Sequence, residues 1–110
     1  MTRWLNLAFR KSSLSNHPRH KMAAVVVRGG AVLSAVPNLS RRWCHAEARC
    51  LARARGADSN GARGATIFVV HGKGNCSKPC PRCEALIREA GIKKAVYFGT
   101  SGQIIEECFA

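Results

Sequence analysis

Two short segments constrain this 110-residue chain more than any other feature, namely His45-Ala46-Glu47 and Pro79-Cys80-Pro81-Arg82-Cys83. Histidine nitrogen and cysteine thiolate are ligands that Zn²⁺ prefers, and a hydrolytic zinc site keeps one coordination position for water. Cysteines three residues apart in the first turn of a helix lie on one face, so they can bind one ion. The spacing therefore predicts zinc ligands at His45, Cys80 and Cys83, with Glu47 as a proton-transferring group rather than a ligand.

The same residues allow other interpretations, which the sequence leaves open. Cys80 and Cys83 alone would also suit a structural zinc site or a redox pair, and a fourth thiolate from Cys44 or Cys76 would close such a site. Glu47 alone would suit the first turn of a helix, where a negative charge is favourable. The joint occurrence of His, Glu, Pro and two Cys at this spacing favours the hydrolytic site.

The cysteine content and the hydropathy pattern predict a cytoplasmic location. Six cysteines in a secreted chain would indicate disulfides, but the N-terminal segment shows no secretory signal pattern. A reducing compartment and a metal site are therefore expected. No apolar run approaches the roughly 18 residues of a membrane-spanning helix, so no membrane partner is expected. The arginine-rich start also resembles a mitochondrial presequence, but a helix belonging to the fold is favoured there.

The chain is strongly basic, with 18 Lys and Arg residues against 6 Asp and Glu and a formal net charge of +12. The asymmetry is greatest in the first part of the chain, because no acidic residue precedes Glu47. A field of this sign attracts phosphorylated small molecules and polyanions. A phosphate-bearing substrate or a nucleic acid is the expected partner, although a solvated basic surface would have the same composition.

The pattern of apolar residues and turn residues predicts one α/β domain over residues 1–110. The Gly29-Gly30 pair indicates a tight hairpin, and Gly56 and Gly91 are expected to end two helices. Helices are predicted at Thr2–Ser13, His45–Arg55 and Cys80–Ala90, and strands at Met22–Arg28, Ala31–Val36, Ala65–Val70, Lys94–Phe98 and Gln103–Glu107. This order favours a mixed sheet with helices on its faces. The N-termini of the second and third helices should then meet at one edge of the sheet.

From about Arg19 to Glu107 the chain resembles the cytidine and deoxycytidylate deaminase superfamily, whose signature is His-x-Glu followed by Pro-Cys-x-x-Cys. His45 with Cys80 and Cys83 is similar to the deoxycytidylate and tRNA-adenosine branches. The segment Pro79–Lys94 looks most like the deoxycytidylate branch and like small deaminase-like proteins of phages and bacteria. The resemblance implies a three-layer α-β-α fold with a mixed four- to five-stranded sheet, and a homo-oligomer.

The resemblance also implies an activity and a role for Glu47. The expected enzyme is a zinc-dependent hydrolytic deaminase that converts cytosine to uracil in a nucleoside or nucleotide and releases ammonia, with dCMP or (deoxy)cytidine favoured. Glu47 would move protons between water, the ring nitrogen and the leaving amine. The first alternative is an editing deaminase that acts on cytosine in single-stranded DNA or RNA, or on tRNA adenosine. The second is a non-enzymatic binding module stabilised by zinc.

Substrate contacts are expected from residues around the predicted metal site. Asn38 occupies the place of a family Asn that hydrogen-bonds the sugar, and a plain turn residue is the alternative interpretation. Trp43 would stack on the base or anchor its loop, Lys78 would contact a phosphate, and Ala46 adjoins the ligand His45. Weaker candidates are His17, His20, His71 and Ser77.

Overall fold

The computed structural model describes residues 2–16, 20–38, 45–57, 61–74 and 76–109. The helices are α1 (Thr2–Ser12), α2 (Ala46–Ala57) and α3 (Pro81–Glu89), and the strands are β1 (Met22–Arg28), β2 (Ala31–Pro37), β3 (Thr66–His71), β4 (Lys94–Phe98) and β5 (Ile104–Cys108). The predicted α/β class and the mixed sheet are confirmed. No helix in this part of the chain is long and apolar enough to cross a membrane.

The five strands form one sheet in the order β2-β1-β3-β4-β5. β1 pairs antiparallel with β2 and with β3, and β3 pairs parallel with β4. Strands β2, β3 and β4 therefore run in the same direction. Because α2 follows β2 and α3 follows β3, both helices begin near the edge of the sheet where these strands end.

The sheet is covered on both faces, which gives the expected three layers. Leu5 and Ala8 of α1 pack against one face, in a cluster that includes Val25 and Phe68. The other face packs against α2 and α3, in a cluster formed by Ala24, Val26, Cys50, Leu51, Ile67, Val69 and Ile87 among others. Residues 23–27 of β1 are buried without a break. Burial on both faces explains why this central strand is a continuous apolar run rather than an alternating one.

The glycines predicted to shape turns have different outcomes. Gly29 and Gly30 have φ values of 59° and 79°, as a two-residue hairpin turn of the type I′ family requires. Gly91 has a φ of 80° and directly follows Ala90, the C-cap residue of α3, which confirms it as the residue that ends this helix. Gly56 does not end its helix, because α2 continues to Ala57. A single glycine lowers helix stability by only about 1 kcal/mol, so it does not by itself break a helix.

Two boundaries matter for the site. His45 and Cys80 were expected inside the first turns of their helices, and each instead lies one residue before its helix. The carbonyl of His45 accepts a hydrogen bond from Arg49 N at 3.1 Å, and that of Cys80 accepts one from Glu84 N at 2.8 Å. Both residues therefore occupy the N-cap position, from which a side chain can point outward along the helix axis.

Candidate metal and catalytic site

His45, Cys80 and Cys83 form a cluster at the N-termini of α2 and α3. Their candidate ligand atoms all lie within 4.8 Å of one another. Nδ1 of His45 is 3.4 Å from Sγ of Cys83 and 3.9 Å from Sγ of Cys80. His45 is exposed, Cys80 is half-buried and Cys83 is buried. The three side chains predicted as ligands thus converge at one place on the rim of the protein.

The cluster fits a tetrahedral zinc ion. Zn–S bonds of about 2.3 Å and Zn–N bonds of about 2.05 Å at tetrahedral angles place the N and S ligands about 3.6 Å apart. The two observed N···S distances, 3.4 and 3.9 Å, lie on either side of that value. One imidazole and two thiolates are also a donor set that Zn²⁺ favours, and three protein ligands are the number found in catalytic zinc sites.

Local sequence explains why α3 presents both cysteines. Pro81 begins the helix, where its missing N–H and its fixed φ are both tolerated. Cys80 is the N-cap with an extended backbone (φ −67°, ψ 163°), and its side chain makes no capping hydrogen bond. The thiol of Cys80 is therefore not used in capping the N-terminus of the helix. Cys83, three residues on, lies on the same side of the first turn.

Glu47 lies in the first turn of α2 and is only 3% exposed. Burial raises the pKa of Glu47 above its ordinary value of 4.5, while its backbone hydrogen bond, the charge of His45 and a hydrogen bond with Cys83 act in the opposite direction. The carboxylate thus contacts Cys83, one candidate ligand, and lies two residues along the chain from His45, another. A buried carboxyl group in this position can hold or pass on a proton beside the cluster.

Cys83 lies in the first turn of α3, where the helix dipole favours a thiolate. Burial, followed by the negative charge of Glu47, raises the pKa of Cys83 above its ordinary value of 9.0. Cys83 is 2% exposed, and the loss of hydration disfavours its charged thiolate form. A cation that binds Sγ must therefore displace a proton from this thiol.

Asn38 directly follows β2 and is 7% exposed. Its Oδ1 accepts hydrogen bonds from Ser15 Oγ at 2.5 Å and Met22 N at 3.0 Å. Its Nδ2 donates to the carbonyl of His20 at 2.8 Å. Asn38 therefore holds the start of β1 against the end of β2. A hydrogen bond to a sugar stays a prediction and would use the second Nδ2 hydrogen.

The other predicted substrate contacts divide into three groups. Ala46 is 1% exposed and its methyl group packs in the core, so a substrate contact would have to come from its backbone. Lys78 is exposed in the segment before α3, and its phosphate contact stays a prediction. Trp43 and the weaker candidate His17 lie outside the described residues, as does Cys44.

Ser77 has a structural role that the sequence did not indicate. It is 1% exposed, and its hydroxyl donates to Val69 O at 2.7 Å and accepts from Phe98 N at 2.8 Å. Ser77 N also donates to Phe98 O at 2.9 Å. The segment before Cys80 is thereby tied to the ends of β3 and β4, which positions the cysteine. A hydroxyl used in this way faces the interior rather than a phosphate.

Arg82 and Leu86 were not predicted as site residues. A cavity of about 150 Å³ adjoins the cluster, and its lining consists of His45, Ala48, Arg82, Cys83 and Leu86. Their spacing from the two cysteines could have indicated that they line the site, since Arg82 lies between Cys80 and Cys83 and Leu86 is one helical turn beyond Cys83.

The sequence profile of the cytidine and deoxycytidylate deaminase zinc-binding region matches residues 1–99. The chain therefore belongs to the cytidine and deoxycytidylate deaminase family, and the zinc-binding region of that family includes the cluster described above. No curated protein sequence matches the chain.

Solved structures support the same assignment. The dCMP deaminase of cyanophage S-TIM5 in its apo form is 27% identical, with a TM-score of 0.75 over 92% of this chain and 84% of the phage chain. The same phage enzyme in complex with dCMP and dUMP is 26% identical, with a TM-score of 0.71 over 86% of this chain and 76% of that one. A cytidine deaminase from Burkholderia pseudomallei, 20% identical, shares the fold with a TM-score of 0.78 over 97% of this chain and 91% of that chain.

Proposed function

We propose that this chain is a zinc-dependent hydrolytic deaminase that converts the cytosine base of a nucleoside or nucleotide to uracil, with dCMP as the favoured substrate. The observation that carries the proposal is the buried carboxylate of Glu47 in contact with the His45–Cys80–Cys83 cluster. The similarity to a phage dCMP deaminase, whose crystal structure contains dCMP and dUMP, supports a nucleotide substrate.

In this proposal His45, Cys80 and Cys83 hold the zinc ion and Glu47 transfers protons. Zinc, when bound, would activate a water molecule to attack the ring carbon that bears the amine. Glu47 accepts a proton from that water and delivers it to the neighbouring ring nitrogen. It then passes the remaining proton, from the hydroxyl that the water has left on the ring carbon, to the departing amine. The carbon–nitrogen bond breaks as the carbonyl forms, so that water and the amino-pyrimidine become ammonia and the keto-pyrimidine.

The test is the release of ammonia and of the uracil product from cytidine, deoxycytidine, CMP and dCMP, by zinc-loaded wild type and by Glu47→Ala. We expect turnover to be greatest with dCMP and to fall at least about 100-fold in Glu47→Ala, the lower end of typical general acid–base contributions. The matched control is Glu84→Ala, an acidic residue of α3 whose carboxylate pairs with Arg88 on the surface. Absence of product from all four compounds by the zinc-loaded wild type would reject the proposal.

The second candidate function is editing of single-stranded DNA or RNA, and the net charge of +12 favours it. It predicts oligonucleotide binding that weakens steeply between low and moderate salt, because phosphate contacts release counterions. Deamination of a cytosine-containing oligonucleotide without turnover of any free nucleotide would assign the chain to this function.

A non-enzymatic zinc-stabilised module is the remaining alternative, and the Glu47→Ala comparison distinguishes it, since a binding module needs no acid–base group.

The proposed homo-oligomer is tested separately, by the sedimentation behaviour of the zinc-loaded protein over a range of concentrations.

A further inference from the structure

Two histidines outside the metal cluster form a pair at the same edge of the sheet. His71 is the last residue of β3, and His20 lies two residues before β1. Nδ1 of His20 is 3.3 Å from Nε2 of His71, and the two rings meet edge to face at 72° with their centroids 5.6 Å apart. His71 is 5% exposed, whereas His20 is exposed.

The pair lies on the face of the sheet that carries the metal cluster. Side chains alternate along a strand, so His71 lies on the same side as Val69 and Ile67. Both of those residues pack in the core shared with α2 and α3. β3 also ends at the edge where these helices begin, since the segment that leads to Cys80 is tied to Val69 through Ser77. The pair thus belongs to the side and the edge of the sheet where a substrate of the cluster would lie.

The hydrogen-bond network assigns a tautomer to each ring. Lys73 N donates to Nδ1 of His71 at 3.2 Å, so this nitrogen carries no proton. Neutral His71 then carries its proton on Nε2 and donates it to Nδ1 of His20. Neutral His20 must in turn carry its proton on Nε2, on the far side of its ring. The buried His71 therefore fixes the orientation of the exposed His20, and Nε2–H of His20 is a hydrogen-bond donor.

The surroundings of this donor suit an anion. The pair lies in two stretches, residues 1–46 and 59–83, that contain no Asp or Glu. Lys73 is close enough for its charge to contribute to lowering the pKa of His71. Lys21, next to His20, donates to the carbonyl of Ser15 at 2.5 Å, which keeps its ammonium group near the start of β1. A phosphate monoester is the anionic group that distinguishes a nucleotide from a nucleoside.

We propose that His20 is a specificity residue, whose Nε2–H donates to the phosphate of a nucleoside monophosphate, and that His71 is its positioning residue. The proposal rests on the proposed function, because it takes the substrate to be a nucleotide bound at the metal cluster. It adds to that function a physical reason for preferring a monophosphate over a nucleoside.

The test compares the binding of dUMP, the expected product, with that of deoxyuridine by calorimetry on the zinc-loaded protein. We expect wild type to bind dUMP at least about tenfold more tightly, as a hydrogen bond to a charged group allows. His20→Ala should lose most of that preference, because its affinity for dUMP should fall while its affinity for deoxyuridine stays unchanged. His20→Gln, which keeps an N–H near the same position, should restore part of it. His71→Phe, which keeps the ring but removes both nitrogens, should lose part of it.

Lys93→Ala is the matched control, because it removes a positive charge at the opposite edge of the sheet, before β4, and should leave the preference unchanged. Zinc content and melting temperature establish that each variant is folded. Two results with wild type would overturn the proposal: equal affinity for dUMP and deoxyuridine, or no measurable binding of dUMP. Two results with the variants would also overturn it: equal loss of affinity for both ligands in His20→Ala, or the same loss of preference in Lys93→Ala. Binding needs no turnover, so failure of the proposed deamination is recognised separately, in the assay of ammonia release.

Discussion

Nδ1 of His45 lies 3.4 Å from Sγ of Cys83, although 38 residues separate them in the chain. The two residues come from different helices, and they meet because α2 and α3 follow strands that run in the same direction. A metal ion bound by His45, Cys80 and Cys83 would be coordinated by side chains at the start of both helices, and would therefore link the two helices. Metal binding should therefore affect both activity and the free energy of unfolding.

We expect one zinc ion per chain in the wild type and a large loss of zinc from Cys83→Ala. The reason is that two remaining ligands cannot form the three-ligand site. Zinc should raise the melting temperature of wild type, because it binds the folded chain preferentially, and should have little effect on the variant. Metal analysis and thermal unfolding with and without zinc measure both effects. Cys108→Ser, which changes an exposed cysteine in β5, is the control and should bind zinc normally.

Asn38→Ala should destabilise the protein by about 1–3 kcal/mol or more, because three buried or half-buried partners lose their hydrogen bonds. The partners are Ser15 Oγ, Met22 N and His20 O. Urea unfolding of wild type and variant measures the difference. Asn6→Ala is the matched control, since Asn6 is exposed on α1 and alanine favours a helix. A change below about 0.5 kcal/mol in Asn38→Ala would show that the three hydrogen bonds do not contribute measurably.

The ionisation of Tyr97 can be followed directly, because the chain contains one tyrosine. Burial, together with a hydrogen bond from the Tyr97 hydroxyl to Glu107 Oε1 at 2.8 Å, raises the pKa of Tyr97 to about 12. The ultraviolet absorbance of the phenolate should therefore appear about two pH units above the free tyrosine value of about 10.

Glu107→Gln should lower this midpoint without bringing it fully to the free value, because burial is the larger cause. Circular dichroism over the same pH range is the control for unfolding, which would expose the ring. A midpoint near the free value in a protein that is still folded would contradict the contact between β4 and β5.

Much of the fold could be predicted from the sequence, because its signals are local. The Gly29-Gly30 turn, the unbroken apolar strand β1 and the end of α3 before Gly91 each depend on neighbouring residues. The end of α2 was misplaced because the cost of one glycine is small against the packing of the helix on the sheet.

For the candidate site, the side chains that converge could be predicted from the sequence, but the residues around them could not. The spacing of His45, Cys80 and Cys83 carried the information for their convergence. The roles of Asn38 and Ser77 depend on partners that are distant in the chain, such as Ser15 and Phe98. Hydrogen-bond partners of that kind follow from strand order and register, which the sequence pattern does not specify.

The pair of His71 and His20 should make the protein less stable in acid. Burial, followed by the positive charges of His20 and Lys73, lowers the pKa of His71 below its ordinary value of 6.5. As the pH falls through about 6.5, the unfolded chain binds a proton at this residue before the folded chain does. The contribution of His71 to the free energy of unfolding is therefore fully present above that pH and is lost as the pH falls toward the lowered pKa.

Urea unfolding at about pH 7.5 and at about pH 5 measures this loss, in wild type and in His71→Gln. The variant has no titrating group at this position, so its free energy of unfolding should fall less between the two pH values, even if it is less stable at both. Glu47 contributes with the opposite sign, because its raised pKa makes the folded state bind a proton first as the pH falls. Since Glu47 is present in both proteins, its contribution cancels in the comparison. An equal fall in the two proteins would mean that the folded protein accommodates a charged His71, and that the donor assigned to Nε2 of His20 is not fixed by its neighbour.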